Sequence, residues 1–162
     1  MTIDSGELGS AAQDSIGSSR TITNVVSARD IRHFAQAIGD DNPLYCDEAA
    51  AASSSHGSIV APPLFTQIYA FADLPLAEMP PDYSPSEADV PVPAERTVGG
   101  SSSYEFFGRI RPGDSITRTS EITDITAKDG RNGRLYLVEV VTTYINQDDA
   151  VVARETATYV KR

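Results

Sequence analysis

The stretch "RLYLVEVVTTYI", residues 134–145, consists mainly of β-branched and aromatic residues that favour β-strands. Successive side chains of a strand point to opposite faces, so the stretch presents two sets of residues. One face carries Tyr136, Val138, Val140, Thr142 and Tyr144, and the other carries Leu135, Leu137 and Val141. Because both faces are fairly apolar, we expect one to pack on a helix and the other to meet a partner.

Three further stretches in the second half of the chain have the same β-forming character. They are "SYEFFGRI" (103–110), "SITRTSEITDITA" (115–127) and "AVVARETATYV" (150–160). The segments between them, "RPGD", "KDGRNG" and "NQDD", have the residues of hairpin-type turns. The pattern predicts an antiparallel meander.

Three segments before residue 75 are predicted to be helical. In "SARDIRHFAQAIGD", residues 27–40, Ser27 can cap the helix start and Gly39 can end it. Apolar residues at i, i+3, i+4 and i+7 form one stripe on this helix: Ile31, Phe34, Ala35 and Ile38. "DEAAAAS" (47–53) predicts a short second helix, and "APPLFTQIYAFADL" (61–74) predicts a third that is apolar enough to be mostly buried. Helices followed by a meander indicate an α+β fold, with an antiparallel sheet wrapped around the buried helix.

Length and charge narrow the class of protein. The 162 residues predict one domain, which we place at residues 20–162, after a flexible tail over residues 1–19. The net charge of −10 argues against nucleic acid and anionic membranes as partners. No segment approaches the roughly 18 apolar residues of a membrane span. The single cysteine, Cys46, rules out an internal disulfide framework and fits a reducing cytoplasm.

Three segments in fixed order carry a family resemblance. They are "GDDNPLYCDEAA" (39–50), "GSIVAPPLF" (57–65) and "FFGRIRPGD" (106–114). Together they resemble the MaoC-like hydratase/dehydratase family, and most closely its N-terminal-type branch, the FAS1-like dehydratase domains. The resemblance implies the hotdog fold, in which a curved antiparallel sheet surrounds a long central helix and two hotdogs pair. It also implies reversible hydration of a trans-2-enoyl thioester to a (3R)-hydroxyacyl product, without a cofactor or metal. The implied ligand is the thioester of coenzyme A or of an acyl carrier protein.

The first segment departs from the pattern of catalytic members of that family, G-D-x-N-P-[LIV]-H. The alignment places Asp40, Asn42 and Pro43 on the conserved positions and puts Tyr45 where the family has histidine. An imidazole, with a pKa of about 6.5, exchanges protons readily at neutral pH, whereas a phenol with a pKa near 10 is a poor base. Loss of a positioned base commonly lowers the rate by about 10²–10⁴-fold.

The second segment also departs from the family pattern, and this departure again predicts a lower catalytic rate. Catalytic relatives begin the central helix with a His-Gly pair, where a backbone N–H helps to hold the thioester oxygen. Here Pro62 and Pro63 occupy those positions, and proline has no N–H to donate. Loss of one such donor lowers the rate by about 10²–10³-fold. By the same resemblance, Asn42, Pro43, Pro62, Pro63 and Phe65 are expected to border the substrate.

Other candidate site residues have weaker support in the sequence. Arg109 and Arg111 are possible contacts for the ligand's phosphates, or ordinary solvated residues. Cys46 and His56 are a possible nucleophilic dyad, although a small thiol more often serves packing. Two histidines and one cysteine make a structural zinc site improbable.

Three functional hypotheses remain open at this point. In the first, the chain is a catalytically degenerate subunit that shapes the acyl tunnel of a dehydratase, and a second hotdog subunit performs the chemistry. In the second, it is a self-sufficient dehydratase, isomerase or cyclase acting on a polyketide or other acyl chain. Asp40, its pKa raised by burial, would then be the base and Tyr45 the proton donor. In the third, it is a non-catalytic scaffold that binds acyl thioesters.

Overall fold

The computed structural model describes residues 8–69, 88–131 and 133–162. Its α-helices are α1 (Ser10–Asp14), α2 (Ala28–Ile38) and α3 (Glu48–Ser53), and two 3₁₀ helices span Pro43–Tyr45 and Pro63–Tyr69. Its strands are β1 (Ser19–Val25), β2 (Thr97–Phe106), β3 (Ser115–Gly130), β4 (Gly133–Ile145) and β5 (Val151–Lys161). No helix within these ranges is long and apolar enough to cross a membrane.

The five strands form one antiparallel sheet in the order β1-β3-β4-β5-β2. The predicted meander corresponds to β3, β4 and β5, which pair consecutively. The predicted division of β4 is also confirmed: the face that carries Tyr136, Val138 and Tyr144 is buried, with exposed fractions of 6%, 0% and 1%. The opposite face of β4 is half-buried.

Helix α2 has the ends and the buried stripe that its sequence predicts. The Ser27 hydroxyl accepts a hydrogen bond from the Asp30 N–H, and Gly39 ends the helix in the left-handed conformation with φ 70°. Of the predicted stripe, Ile31 and Ala35 are buried, whereas Ile38 is 52% exposed at the last turn. The Asp47 side chain caps α3 by accepting hydrogen bonds from two backbone N–H groups.

The predicted limits of three segments differ from the structure. Helix α1 lies inside the predicted tail, and Ala12 in it is only 1% exposed because it packs in the core, so the packed domain begins before residue 20. The predicted strand over 103–110 is displaced: β2 begins at Thr97 and ends at Phe106, before Gly108. The third helix is a 3₁₀ helix as far as Tyr69, and the rest of the predicted segment lies outside the described residues.

The core consists of two groups of buried apolar side chains on the inner face of the sheet. The first lies under α2 and the second 3₁₀ helix and includes Ile31, Phe65 and Tyr144. In it the Phe34 and Phe65 rings meet edge to face, with centroids 5.8 Å apart. The second group lies nearer α1 and includes Val138 and Val140.

Candidate functional site

The loop after α2 is held in shape by hydrogen bonds from side chains to its own backbone. One carboxylate oxygen of Asp40 accepts a hydrogen bond from the Asn42 N–H at 3.1 Å, and the Asn42 side-chain oxygen accepts one from the Leu44 N–H at 3.1 Å. Pro43 begins the short 3₁₀ helix, where a missing N–H costs nothing. Asp40, Asn42 and Pro43 therefore all serve as turn residues in this structure.

Tyr45 and Asp40 face different surroundings. The Tyr45 ring is half-buried and packs against the first core group, whereas Asp40 is exposed. Within the described ranges no hydrogen bond joins the two side chains. The hypothesis of a self-sufficient enzyme assumed a buried Asp40, whereas the structure places this carboxylate in solvent.

The second family segment is tied to the first and to the third by backbone hydrogen bonds. The Val60 N–H donates to the Leu44 carbonyl at 3.2 Å, and the Ala61 N–H donates to the Ile110 carbonyl at 2.8 Å. The three segments, distant in the sequence, therefore meet at one place.

Pro62 is buried at this meeting point, and Pro63 begins the second 3₁₀ helix. Phe65 is completely buried, and its N–H donates to the Pro62 carbonyl at 2.9 Å. Neither proline can offer an N–H to a ligand.

A pocket of about 260 Å³ opens beside these residues. Its lining is mostly apolar and consists of Ala61, Pro62, Pro63, Phe106, Gly108, Arg109, Ile110, Val152 and Ala153. Of the predicted site residues, Pro62, Pro63 and Arg109 line it, and Asp40, Asn42 and Tyr45 do not. Next to it, Phe106 and Phe107 are 47% and 57% exposed, so the pocket opens beside an apolar surface.

The two arginines of the third family segment have different environments. Arg109 is exposed and lines the pocket. Arg111 is half-buried, and its Nη1 donates to the His56 carbonyl at 3.2 Å and to the Ser58 hydroxyl at 3.0 Å. The Asp114 carboxylate accepts a hydrogen bond from the Arg111 N–H at 2.7 Å. Arg111 therefore clamps the loop that leads into the pocket wall.

The other candidate residues do not form a second site. Cys46 is exposed and its sulfur lies 3.9 Å from the Asn42 carbonyl oxygen, without a described contact to His56. Across residues 8–69, 88–131 and 133–162, no three His, Cys, Asp or Glu side chains are close enough together to hold a metal ion.

The sequence analysis missed a group of polar side chains on the inner face of the sheet, which we call the inner polar cluster: Gln67, Tyr104, Tyr144 and Glu155. Glu155 as a residue is 7% exposed, and its Oε2 accepts hydrogen bonds from Gln67 Nε2 at 3.4 Å and from the Tyr144 hydroxyl at 3.5 Å. The Gln67 amide also donates to the Tyr104 hydroxyl. One signal was available in the sequence: Glu155 shares an inward-facing set of strand positions with Ala153 and Ala157.

Burial and charge keep both phenols of the cluster protonated. Burial, reinforced by the Glu155 carboxylate, raises the pKa of Tyr144 to about 12. Burial and the same carboxylate raise the pKa of Tyr104 further still. Both side chains are therefore neutral hydrogen-bond donors at physiological pH.

Comparison with known proteins identifies the family. A family model described as "FAS1-like, dehydratase domain region" matches residues 15–155. The chain belongs to the FAS1-like dehydratase domain family. Solved MaoC-like dehydratases and hydratases share its fold, so the expected hotdog architecture is confirmed.

Three individual similarities to this FAS1-like domain are informative. A Streptomyces avermitilis protein named UPF0336 is 32% identical over 111 residues, which cover 66% of this chain and 67% of that protein. The probable enoyl-CoA hydratase alpha subunit of Thermomonospora curvata is 29% identical over 146 residues, which cover 86% of this chain but 46% of that protein. The ChsH1–ChsH2 complex of Mycobacterium tuberculosis superposes with a TM-score of 0.72 at 22% identity, covering 93% of each chain.

Proposed function

We propose that the chain is the catalytically degenerate, tunnel-forming subunit of a (3R)-hydroxyacyl-thioester dehydratase that also runs as an enoyl-thioester hydratase. The observation that carries the proposal is Tyr45, whose ring packs on the core at the position where the family has its histidine. Dehydration needs a group that removes a proton beside the thioester and a group that protonates the departing hydroxyl. A phenol packed on the core and an exposed carboxylate that is not bonded to it are poorly arranged for this exchange.

The pocket supports a role in holding the acyl group. An apolar pocket with one cationic side chain in its lining suits an acyl chain whose thioester end carries phosphates, and we assign the contact with those phosphates to Arg109. Arg111 is committed to the loop at 54–58 and is a positioning residue in this proposal. Acyl-CoA or acyl carrier protein is the proposed ligand, and the cytoplasm is the proposed location.

The sheet edge supports pairing with a second hotdog subunit. Strand β2 pairs only with β5 among the described strands, so its other side carries backbone groups without sheet partners. Much of β2 is exposed, and its middle is built from small residues, "GGSSS", that allow close approach of another chain. The names of the T. curvata subunit and the ChsH1–ChsH2 complex support a two-subunit assembly.

The test is an activity assay of the purified chain, alone and with a partner. The partner is a hotdog protein with an intact D-x-N-P-x-H loop, sought first in an adjacent gene and co-expressed. We expect negligible hydration of a trans-2-enoyl-CoA by the chain alone, a stable complex by mass determination, and hydration by that complex. Robust turnover by the isolated chain would show that the proposal is wrong.

A further inference from the structure

The inner polar cluster lies directly beyond the pocket along the sheet. Phe106 and Ala153, which line the pocket, are opposite each other in the β2–β5 register, and Tyr104 and Glu155 form the next inward-facing pair. Directly opposite residues of an antiparallel pair project from the same face. One step of two residues along a strand is about 7 Å, the length of five or six carbon–carbon bonds of an extended chain.

Two aromatic rings, those of Tyr104 and Phe106, connect the pocket lining to the inner polar cluster. The Tyr104 and Phe106 rings are stacked, with centroids 5.8 Å apart and planes 5° apart. A chain that extends from the pocket along Phe106 therefore meets the Tyr104 ring next. Tyr104 and Gln67 are half-buried, so both keep some exposed surface.

The cluster also has hydrogen-bonding capacity to spare. A carboxylate accepts about four hydrogen bonds. Glu155 Oε2 accepts two, from Gln67 at 3.4 Å and from Tyr144 at 3.5 Å, and the Tyr104 hydroxyl is a third hydrogen-bond partner of this carboxylate. Hydrogen bonds between such groups are normally about 2.7–3.0 Å long, so the contacts at 3.4 and 3.5 Å are weak. By contrast, the neighbouring Ser120 and Thr142 hydroxyls satisfy each other at 2.9 Å. The donors of the cluster are used within it, but the Glu155 carboxylate and the Tyr104 oxygen each keep an acceptor position, which suits a ligand hydroxyl that donates a hydrogen bond.

The geometry points to a polar subsite in the acyl site, where the inner polar cluster accepts a hydrogen bond from a hydroxyl group carried on the acyl chain. This inference rests on the proposed function and narrows its substrate class to acyl thioesters that carry a hydroxyl farther along the chain, in addition to the C3 hydroxyl that the proposed reaction removes. The Tyr104 oxygen accepts the hydrogen bond from the ligand hydroxyl, and Gln67 and Glu155 hold the Tyr104 hydroxyl in orientation. Tyr104 is a binding residue here and takes part in no bond-breaking step.

The experiment compares matched thioesters by isothermal titration calorimetry on the full chain, alone and with its partner subunit. The probes are decanoyl-CoA and a series of hydroxydecanoyl-CoA isomers whose hydroxyl moves along the chain beyond C3, because the 3-hydroxy isomer is a substrate of the proposed reaction. We expect one position to bind about 2–12-fold more tightly than decanoyl-CoA, the range that one net hydrogen bond supplies. Tyr104→Phe should abolish that preference, so that the variant binds no hydroxydecanoyl-CoA isomer more tightly than decanoyl-CoA.

The control is Tyr136→Phe, which removes a hydroxyl from the same face of the sheet at a residue outside the pocket lining and the cluster. It should keep the preference. Equal affinity for every probe in the wild-type chain would overturn the polar subsite and leave the proposed function standing. Binding of neither kind of thioester, with or without the partner, would overturn both.

Discussion

Replacing Arg111 with methionine should destabilise the fold while leaving the residues that line the pocket unchanged. Methionine keeps an unbranched stem but has no donor for the His56 carbonyl or the Ser58 hydroxyl, which Arg111 Nη1 contacts at 3.2 and 3.0 Å. Hydrogen bonds from a charged donor contribute about 1.5–3 kcal/mol each when the groups are buried. Since Arg111 is half-buried and Ser58 is exposed, hydrogen bonds to water compensate for part of the lost contribution. We therefore expect a loss of about 2 kcal/mol in the free energy of unfolding.

Urea unfolding and thermal melting measure this loss, with Arg109→Met as the matched control. For a chain of this size, 2 kcal/mol corresponds to a fall of about 4–8 °C in Tm. Arg109 is exposed and clamps no loop, so its replacement should change stability by less than about 0.5 kcal/mol and instead weaken acyl-CoA binding. Equal stability losses in both variants, or a larger loss of acyl-CoA affinity for Arg111→Met than for Arg109→Met, would refute the assignment of Arg111 as the clamp.

Two further predictions concern the sheet. Gly100→Ala places a Cβ 2.8 Å from the Thr158 backbone oxygen and should lower the free energy of unfolding, measured in urea, by about 1–3 kcal/mol. The Cβ of Gly99→Ala enters open space, so this variant should lose much less stability. Equal losses in the two variants would contradict this packing. Burial, reinforced by Glu155, raises the pKa of Tyr144 to about 12, so the unfolded chain, with a phenol pKa near 10, loses its proton first. The stability that Tyr144 contributes is therefore complete below about pH 10 and falls as the pH rises toward 12. In urea titrations at a series of alkaline pH values, Tyr144→Phe should reduce this fall in the free energy of unfolding. An unchanged dependence of that free energy on pH would contradict the prediction.

Local signals in the sequence were strong enough to predict much of the fold. Helix α2 has a serine cap, a regular apolar stripe and a terminal glycine, each of which acts within a few residues. Strand β4 alternates between two apolar sets, and its predicted inner face is the buried one. In such a strand the alternation of side chains with a period of two residues predicts which face is buried.

Strands β1 and β2 were missed or misplaced for a physical reason. Both are edge strands, so only one neighbour supports each, and their side chains are largely exposed. Without a buried face there is no alternation of apolar residues to read. In β2 the pair Gly99–Gly100 also suggests a turn, although Gly100 is there because the backbone of β5 approaches too closely for a side chain.

The candidate site residues stay a prediction. The structure does bring the three family segments together, through backbone hydrogen bonds between Val60 and Leu44 and between Ala61 and Ile110. The different roles of Arg109 and Arg111 depend on where the loop at 54–58 passes, and the inner polar cluster joins the second 3₁₀ helix to three strands. These contacts join residues that are far apart in the sequence, so they depend on the tertiary fold and cannot be predicted from local sequence patterns.

The central claim is that this chain supplies no acid or base, and the double variant Asp40→Asn, Tyr45→Phe tests it most directly. Asparagine retains an oxygen that can accept the Asn42 N–H, and phenylalanine retains the ring that packs on the core, so the loop keeps its shape. Combined with the catalytic partner subunit, the variant should hydrate a trans-2-enoyl-CoA with the kcat of the unmodified complex. A fall in kcat of about 10²-fold or more, the usual effect of removing a positioned proton-transfer group, would show that this chain performs part of the chemistry.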